Sequence, residues 1–369
     1  MCRKRFIIVA VLTGLLFPFC SKKKDQVPEP VRLGVTPWPA AYSLADQQQA
    51  YAFIGSDCDF VSHHIDEGIP YDEAFNHRPM PVSLVNEVKF RKENTPSGKA
   101  IFLSVSALDL SRKKKVGYWR NNEGTPSAIR QYWESLPFDH PDVITAYVNF
   151  VNYLVGEFSP AWINFGVESN SESWDETEFQ RYKIFCRAVY TALKKSHPGT
   201  PVFLSVMVSE APKAYQNAKE LMPYTDWVAM SAYPYVTVSS SASGNTNPDL
   251  FPTGYFEHWL DLSPEKPWCF SETGYIAQNL DVPEYNLHKE GRPEWQNRYL
   301  EKLGDLMRTR KGQFLLWFCH TDYDALIETL KSTGDYQPLF LFWRDIGLYD
   351  ENHKARPVLQ TWRDLRKKN

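Results

Sequence analysis

The chain has 369 residues, 43% of them hydrophobic and 15% aromatic, enough to build one large core. Its 41 basic residues are outnumbered by 44 acidic ones, and a net charge of −3 argues against nucleic acid as a partner, because phosphate backbones attract basic surfaces. Twelve Trp and 20 Tyr are many for this length; they serve either an aromatic-rich core or flat faces on which sugar rings stack.

The first element is a targeting segment. Arg3, Lys4 and Arg5 precede an apolar run of 14 residues, Phe6 to Phe19, which suits a signal-peptide core and is short for a membrane span. Cys20 follows, then Ser21 and three lysines. This resembles a bacterial lipoprotein signal, although Phe19 stands where a small residue is usual. The resemblance implies lipidation at Cys20 and an exported chain held at the cell envelope through an N-terminal lipid anchor. Residues 1–20 then form the signal, 21–30 a polar, Pro-containing tether, and 31–369 the folded domain. Removing residues 1–24 takes away six basic residues and no acidic one, which leaves 35 against 44 and a charge of about −9.

From Val31 onward, short apolar runs alternate with amphipathic stretches, the pattern of βα units around a parallel sheet. VRLGVTPWP is the first strand, followed by a helix through SLADQQQAYAFI. CDFVSHHI is the second and AIFLSVSALDL the third, with a long basic loop behind it, SRKKKVGYWRNNEGTPS. A helix from Pro141 to Phe158 carries apolar positions at helical spacing, among them Val143, Tyr147, Val151 and Leu154. AWINFGV is the fourth strand, and a helix over Asp175 to Lys195 stops at HPG. PVFLSVMV, DWVAMSAY, KPWCFSE and QFLLWFC are strands five to eight, with a helix from near Pro293 before the last. Eight such units predict an α/β fold, a single-domain (β/α)8 TIM barrel, and we expect a monomer.

In such a barrel the C-terminal strand ends share one rim, where chemistry is done. Glu168 ends strand four and Glu272 ends strand seven. Paired carboxylates can cleave a glycosidic bond, one as proton donor and one as nucleophile, if their environments keep one protonated and the other charged. Each alone is weak, since a strand-end glutamate also serves as a surface ion pair or helix cap. HHIDE at residues 63–67 offers metal-ligand types, but neighbours on a strand point to opposite faces, so at most one of His63 and His64 looks inward. We expect neither metal nor cofactor, and hold both histidines as candidate sugar contacts. Cys58, Cys186, Cys269 and Cys319 show no CxxC spacing and read as buried free thiols.

INFGVES, DWVAMSAYPY, CFSETGY and LLWF occur in that order on strands four, six, seven and eight. Together they resemble the glycoside hydrolase clan A barrels, most of all the family 53 endo-β-1,4-galactanases. The resemblance implies a retaining glycosidase that cleaves β-glycosidic bonds of a poly- or oligosaccharide, with Glu168 as acid/base and Glu272 as nucleophile. It also implies Tyr233 as a hydrogen-bond donor to the nucleophile, against a core tyrosine whose hydroxyl finds any partner, and Trp317 is a candidate platform beneath the sugar, or else packs in the barrel core. Trp38 is a further candidate contact, and Tyr118 and Trp119 are candidates for an outer subsite. Two positions depart from the pattern. Val167 stands where the clan has an Asn that binds the sugar 2-hydroxyl, and no Arg ends strand two. Val167 supports an alternative, a surface lipoprotein that binds carbohydrate with impaired catalysis.

Overall fold

The computed structural model describes residues 30–121, 124–239 and 242–367. The signal, Cys20 and all but the last tether residue lie outside them. Among the described residues no helix is long and apolar enough to cross a membrane.

Eight barrel positions are filled by parallel strands: Leu33–Val35, Phe60–Ile65, Ala100–Val105, Trp162–Asn164, a fifth in two pieces (Val202–Phe203 and Ser205–Met207), Val228–Ala232, Trp268–Thr273 and Leu315–Trp317. The fifth strand closes the ring. Its first piece pairs with strand four (Ile163 opposite Val202) and its second with strand six (Ser205 opposite Ala229), with Leu204 between them. The first strand pairs with both the second and the eighth. The predicted (β/α)8 barrel is the observed fold.

Side-chain alternation separates two cores. Phe60, Phe102, Trp162, Phe203, Trp227 and Phe314 point inward and plug the N-terminal half of the barrel. Phe203 stacks on Trp227 at 5.4 Å, and Phe314 lies 4.9 Å from Trp162 and 5.0 Å from Phe60. Gly34 leaves room for this plug, since a Cβ there would meet the Phe60 ring at 2.5 Å. Phe314 is fully buried at the centre of these contacts. Truncation to Ala should therefore cost about 3–5 kcal/mol, read as a fall in the denaturant midpoint at unchanged slope.

The larger core lies between barrel and helices. The helix Pro141–Phe158 has the bounds expected from its periodicity. The helix Glu176–Ser196 starts at Asp175, whose carboxylate caps the N–H groups of Thr177 and Glu178. Cys58, Cys186, Cys269 and Cys319 are buried free thiols, as expected. A hairpin, Leu280–Val282 against Leu287–Lys289, and a helix, Asp324–Thr333, enlarge the loops after strands seven and eight. Neither had been expected.

Candidate active site

Above the aromatic plug the inward positions turn polar. Asn164 donates to Ser104 at 3.1 Å and Ser205 at 3.3 Å. Ser205 accepts the Glu168 N–H at 3.0 Å, so this layer supports the rim that bears Glu168.

Glu168 adopts a left-handed backbone, φ 49°. A non-glycine residue pays for that conformation, and it persists only where its surroundings over-determine it. Here they do. Asn170 donates to the carbonyls of Met207 and Ala214 and accepts the Met207 N–H at 2.7 Å. Ser169 bonds Tyr182, and Trp174 donates its indole N–H to the Ser169 carbonyl. The Glu168 carboxylate accepts from Ser231 Oγ on Oε1 and from Arg112 Nε on Oε2, both at 2.7 Å. Burial pushes this carboxyl up, but the charge and hydrogen bond of Arg112, with the Ser231 bond, outweigh it and hold it below its ordinary value.

Glu272 reaches the same rim through an irregularity. Strand seven pairs Phe270 with Met230 but Glu272 with Ser231, so Ser271 is an extra residue, a β-bulge. The bulge resets the alternation. Cys269 points into the plug, Phe270 packs outward, and Glu272 faces the same side as Ser231, the serine that holds Glu168. Tyr233 donates its O–H to Glu272 Oε1 at 2.6 Å. Burial and then the Glu168 charge push the Glu272 carboxyl up to about 7, against the Tyr233 bond, which lowers it.

The other expected site residues divide. His64 points inward, with Nε2 3.6 Å from Asp66, and lies within the electrostatic reach of Arg112 and Glu168. Burial holds His64 below its ordinary value and so neutral near pH 7. His63 points the other way. It is fully buried against Phe158, ring centroids 4.7 Å apart, and bonds Thr95 Oγ1, so it is corrected to a structural histidine. Trp317 is also corrected. It shares the outward register of Thr273, is fully buried, and donates its indole N–H to the Ile346 carbonyl at 2.7 Å.

The next residue, Phe318, takes up the rim. Trp38 meets Phe318 at 5.5 Å, Phe318 meets Trp343 at 5.6 Å, and Trp343 meets Tyr233 at 6.2 Å. These rings form a continuous wall beside Glu272, in which Trp38 and Trp343 are only partly buried. Tyr118 and Trp119 are buried and bonded to Glu73 and Ser83, so they offer no free face.

Arg112 was not anticipated. It belongs to the basic loop after strand three, and its side chain is 16% exposed beside Glu168. Val167 is buried at 2% exposure, so the position of the clan's amide offers only an apolar side chain. HHIDE does not converge as a ligand set, because its two histidines face opposite sides. Behind strand eight, Asp322, Asp324 and Asp345 bring carboxylate oxygens within 4.8 Å of one another, a grouping that could hold a cation. Arg356 pairs with Asp322 at 2.7 Å and Arg344 with Asp345 at 2.7 Å, and burial pushes the Asp322 carboxyl up to about 8.

No family model and no curated protein sequence matches the chain. Solved structures do. The exo-β-1,4-mannosidase Op5Man5 from Opitutaceae bacterium strain TAV5 aligns over 92% of this chain at 15% identity and TM-score 0.57; the chain spans 59% of that protein. A GH53 catalytic domain from Ignisphaera aggregans aligns over 92% of this chain and 99% of its own length, at 16% identity and TM-score 0.58. GH5_18 from Streptomyces cattleya, in complex with GlcNAc, covers 92% of this chain and 80% of its own length, at 12% identity and TM-score 0.60. What this chain shares with these glycoside hydrolases is the (β/α)8 barrel fold.

Proposed function

We propose that the chain is a retaining glycoside hydrolase acting on a β-linked poly- or oligosaccharide. The observation that carries this reading is the pair itself. Glu168 and Glu272 are partly buried on one rim, bonded to strand-six residues two apart, Ser231 and Tyr233, and Glu272 feels the charge of Glu168. Glu272 is the nucleophile that attacks the anomeric carbon. Glu168 protonates the leaving oxygen and then deprotonates the water that releases the sugar. The wall of Trp38, Phe318 and Trp343 stacks against the sugar, and His64 offers a ring nitrogen to a hydroxyl. The likeness in fold to a mannosidase, a family 53 domain and a family 5 enzyme supports the substrate class. Reducing-end release across mannan, galactan, xylan and β-glucans, and across glucuronoxylan as a polymer that carries uronic acid units, tests it. The first-formed product should keep the β anomer by NMR, and an inverted anomer would refute retention.

Glu272 must be ionised to attack, so activity should rise as pH passes through about 7. Tyr233 stabilises the ionised form. Tyr233→Phe should move the acidic limb of the kcat/KM profile to higher pH, and an unmoved limb would remove Tyr233 from this role.

A second reading, carbohydrate binding without turnover, draws support from the apolar Val167. It predicts calorimetric binding of a glycan that yields no product on long incubation. For the N-terminus we propose lipidation at Cys20, export and anchoring at the cell envelope, with the folded domain a monomer. An acyl adduct in the mass of the mature N-terminus tests the anchor.

A further inference from the structure

We propose that Arg112 recognises a carboxylate on the substrate, that of a uronic acid unit, and that this carboxylate takes the guanidinium over from Glu168. The proposal rests on the glycosidase reading and names the substrate class of that site.

The chemistry begins with a mismatch. Cleavage needs the proton on Glu168, yet the free site pairs Glu168 with a cation. Strand two and its end present His64 and Asp66, strand five the Ser205 hydroxyl, strand six and its end Ser231 and Tyr233, and strand seven Glu272. His64 is neutral, and Asp66 and Glu272 carry carboxyl groups, so among these groups Arg112 is the cation paired with Glu168. It has to let go before Glu168 can act as an acid.

The guanidinium is not spent on this contact. An arginine has five N–H donors in a fork that fits carboxylates in bidentate fashion. Arg112 gives Nε to Glu168 and Nη1 to the Asp109 carbonyl at 3.3 Å, while Nη2 has no hydrogen bond among the described residues. The residue stands on a left-handed backbone, φ 57°, in a turn closed by Asp109 N–H to Lys114 O and Arg112 N–H to Asp109 O. Lys113 and Lys114 on that turn are exposed, so an anion approaching this side of the rim meets cations first.

An incoming carboxylate fits the charge balance. When the substrate carboxylate replaces the Glu168 carboxylate at Arg112, Glu168 takes up one proton and becomes the neutral acid. One negative charge enters and one is neutralised, so the site gains no net charge. A neutral sugar offers no such exchange and leaves Glu168 paired.

The exchange has a signature separate from turnover. Calorimetry with D-glucuronic acid and D-glucose, and with a glucuronoxylan oligosaccharide and its carboxyl-reduced form, is run in two buffers of different ionisation enthalpy. Wild type should bind the acidic member of each pair at least tenfold more tightly, with uptake of close to one proton. Arg112→Gln should lose both the preference and the uptake. Arg112→Lys, which keeps the charge and fold but not the fork, should fall between. Equal affinity for the acidic and reduced forms, or an unchanged preference in Arg112→Gln, would overturn the proposal. Selective binding without hydrolysis of any glycoside would instead remove the glycosidase reading and leave the role of Arg112 standing.

Discussion

Glu272→Gln should abolish turnover, by on the order of 10⁴-fold or more in kcat, with the fold intact. The carboxylate is replaced by an amide of nearly the same shape, so the Tyr233 hydroxyl still finds an acceptor oxygen where it now meets Glu272 at 2.6 Å. Burial penalises the charged form of Glu272, so removing its charge should not destabilise the barrel, and the melting temperature should hold or rise. An amide cannot displace the leaving group, so no covalent intermediate forms. Residual activity within tenfold of wild type would remove Glu272 from the role of nucleophile.

Glu168→Gln should have the next largest effect, and its size should depend on the leaving group. For a polysaccharide, whose leaving oxygen needs a proton, a loss on the order of 10²–10⁴-fold is expected. For a dinitrophenyl glycoside, whose leaving group departs without one, bond cleavage should be nearly spared, and azide should restore release of the sugar from the intermediate. The mutation also deprives Arg112 of its carboxylate, so the partly buried guanidinium keeps only an amide oxygen as its acceptor. Some loss of stability should follow, because a partly buried charge that loses its counter-charge is costly. Equal losses on both substrates would mean that Glu168 does not act as the acid.

The barrel was legible in the sequence because strand and helix periods are local, and the helix Pro141–Phe158 declared both its start and its end. Glu168 and Glu272 were legible because a parallel barrel sends its strand ends to one rim. What failed was parity. Trp317 ends its strand as Glu272 nearly ends its own, but the extra residue at Ser271 turns Glu272 inward, whereas Trp317 keeps the outward register of Thr273. A bulge has no sequence signal apart from the pairing it breaks. At His63 and His64 strict alternation held, so one of the two had to be structural, but sequence alone did not say which. Arg112 was hidden for another reason. It sits in a long loop, where no period constrains direction, and only its place in a basic run behind a barrel strand marked it. Trp343 and Phe318 were hidden likewise, since the wall they form depends on how the loop after strand eight folds back over Tyr233.

The central claim, that this rim forms a covalent glycosyl intermediate on Glu272, has a direct measurement. The folded domain is incubated with dinitrophenyl 2-deoxy-2-fluoro-β-glycosides of glucose, galactose, mannose and glucuronic acid, digested, and sequenced by mass spectrometry. The account predicts one fluoroglycosyl adduct, on Glu272 within the strand Trp268–Thr273, with inactivation in step with labelling. An adduct on Glu168, or turnover of these sugars with no adduct anywhere, would contradict it.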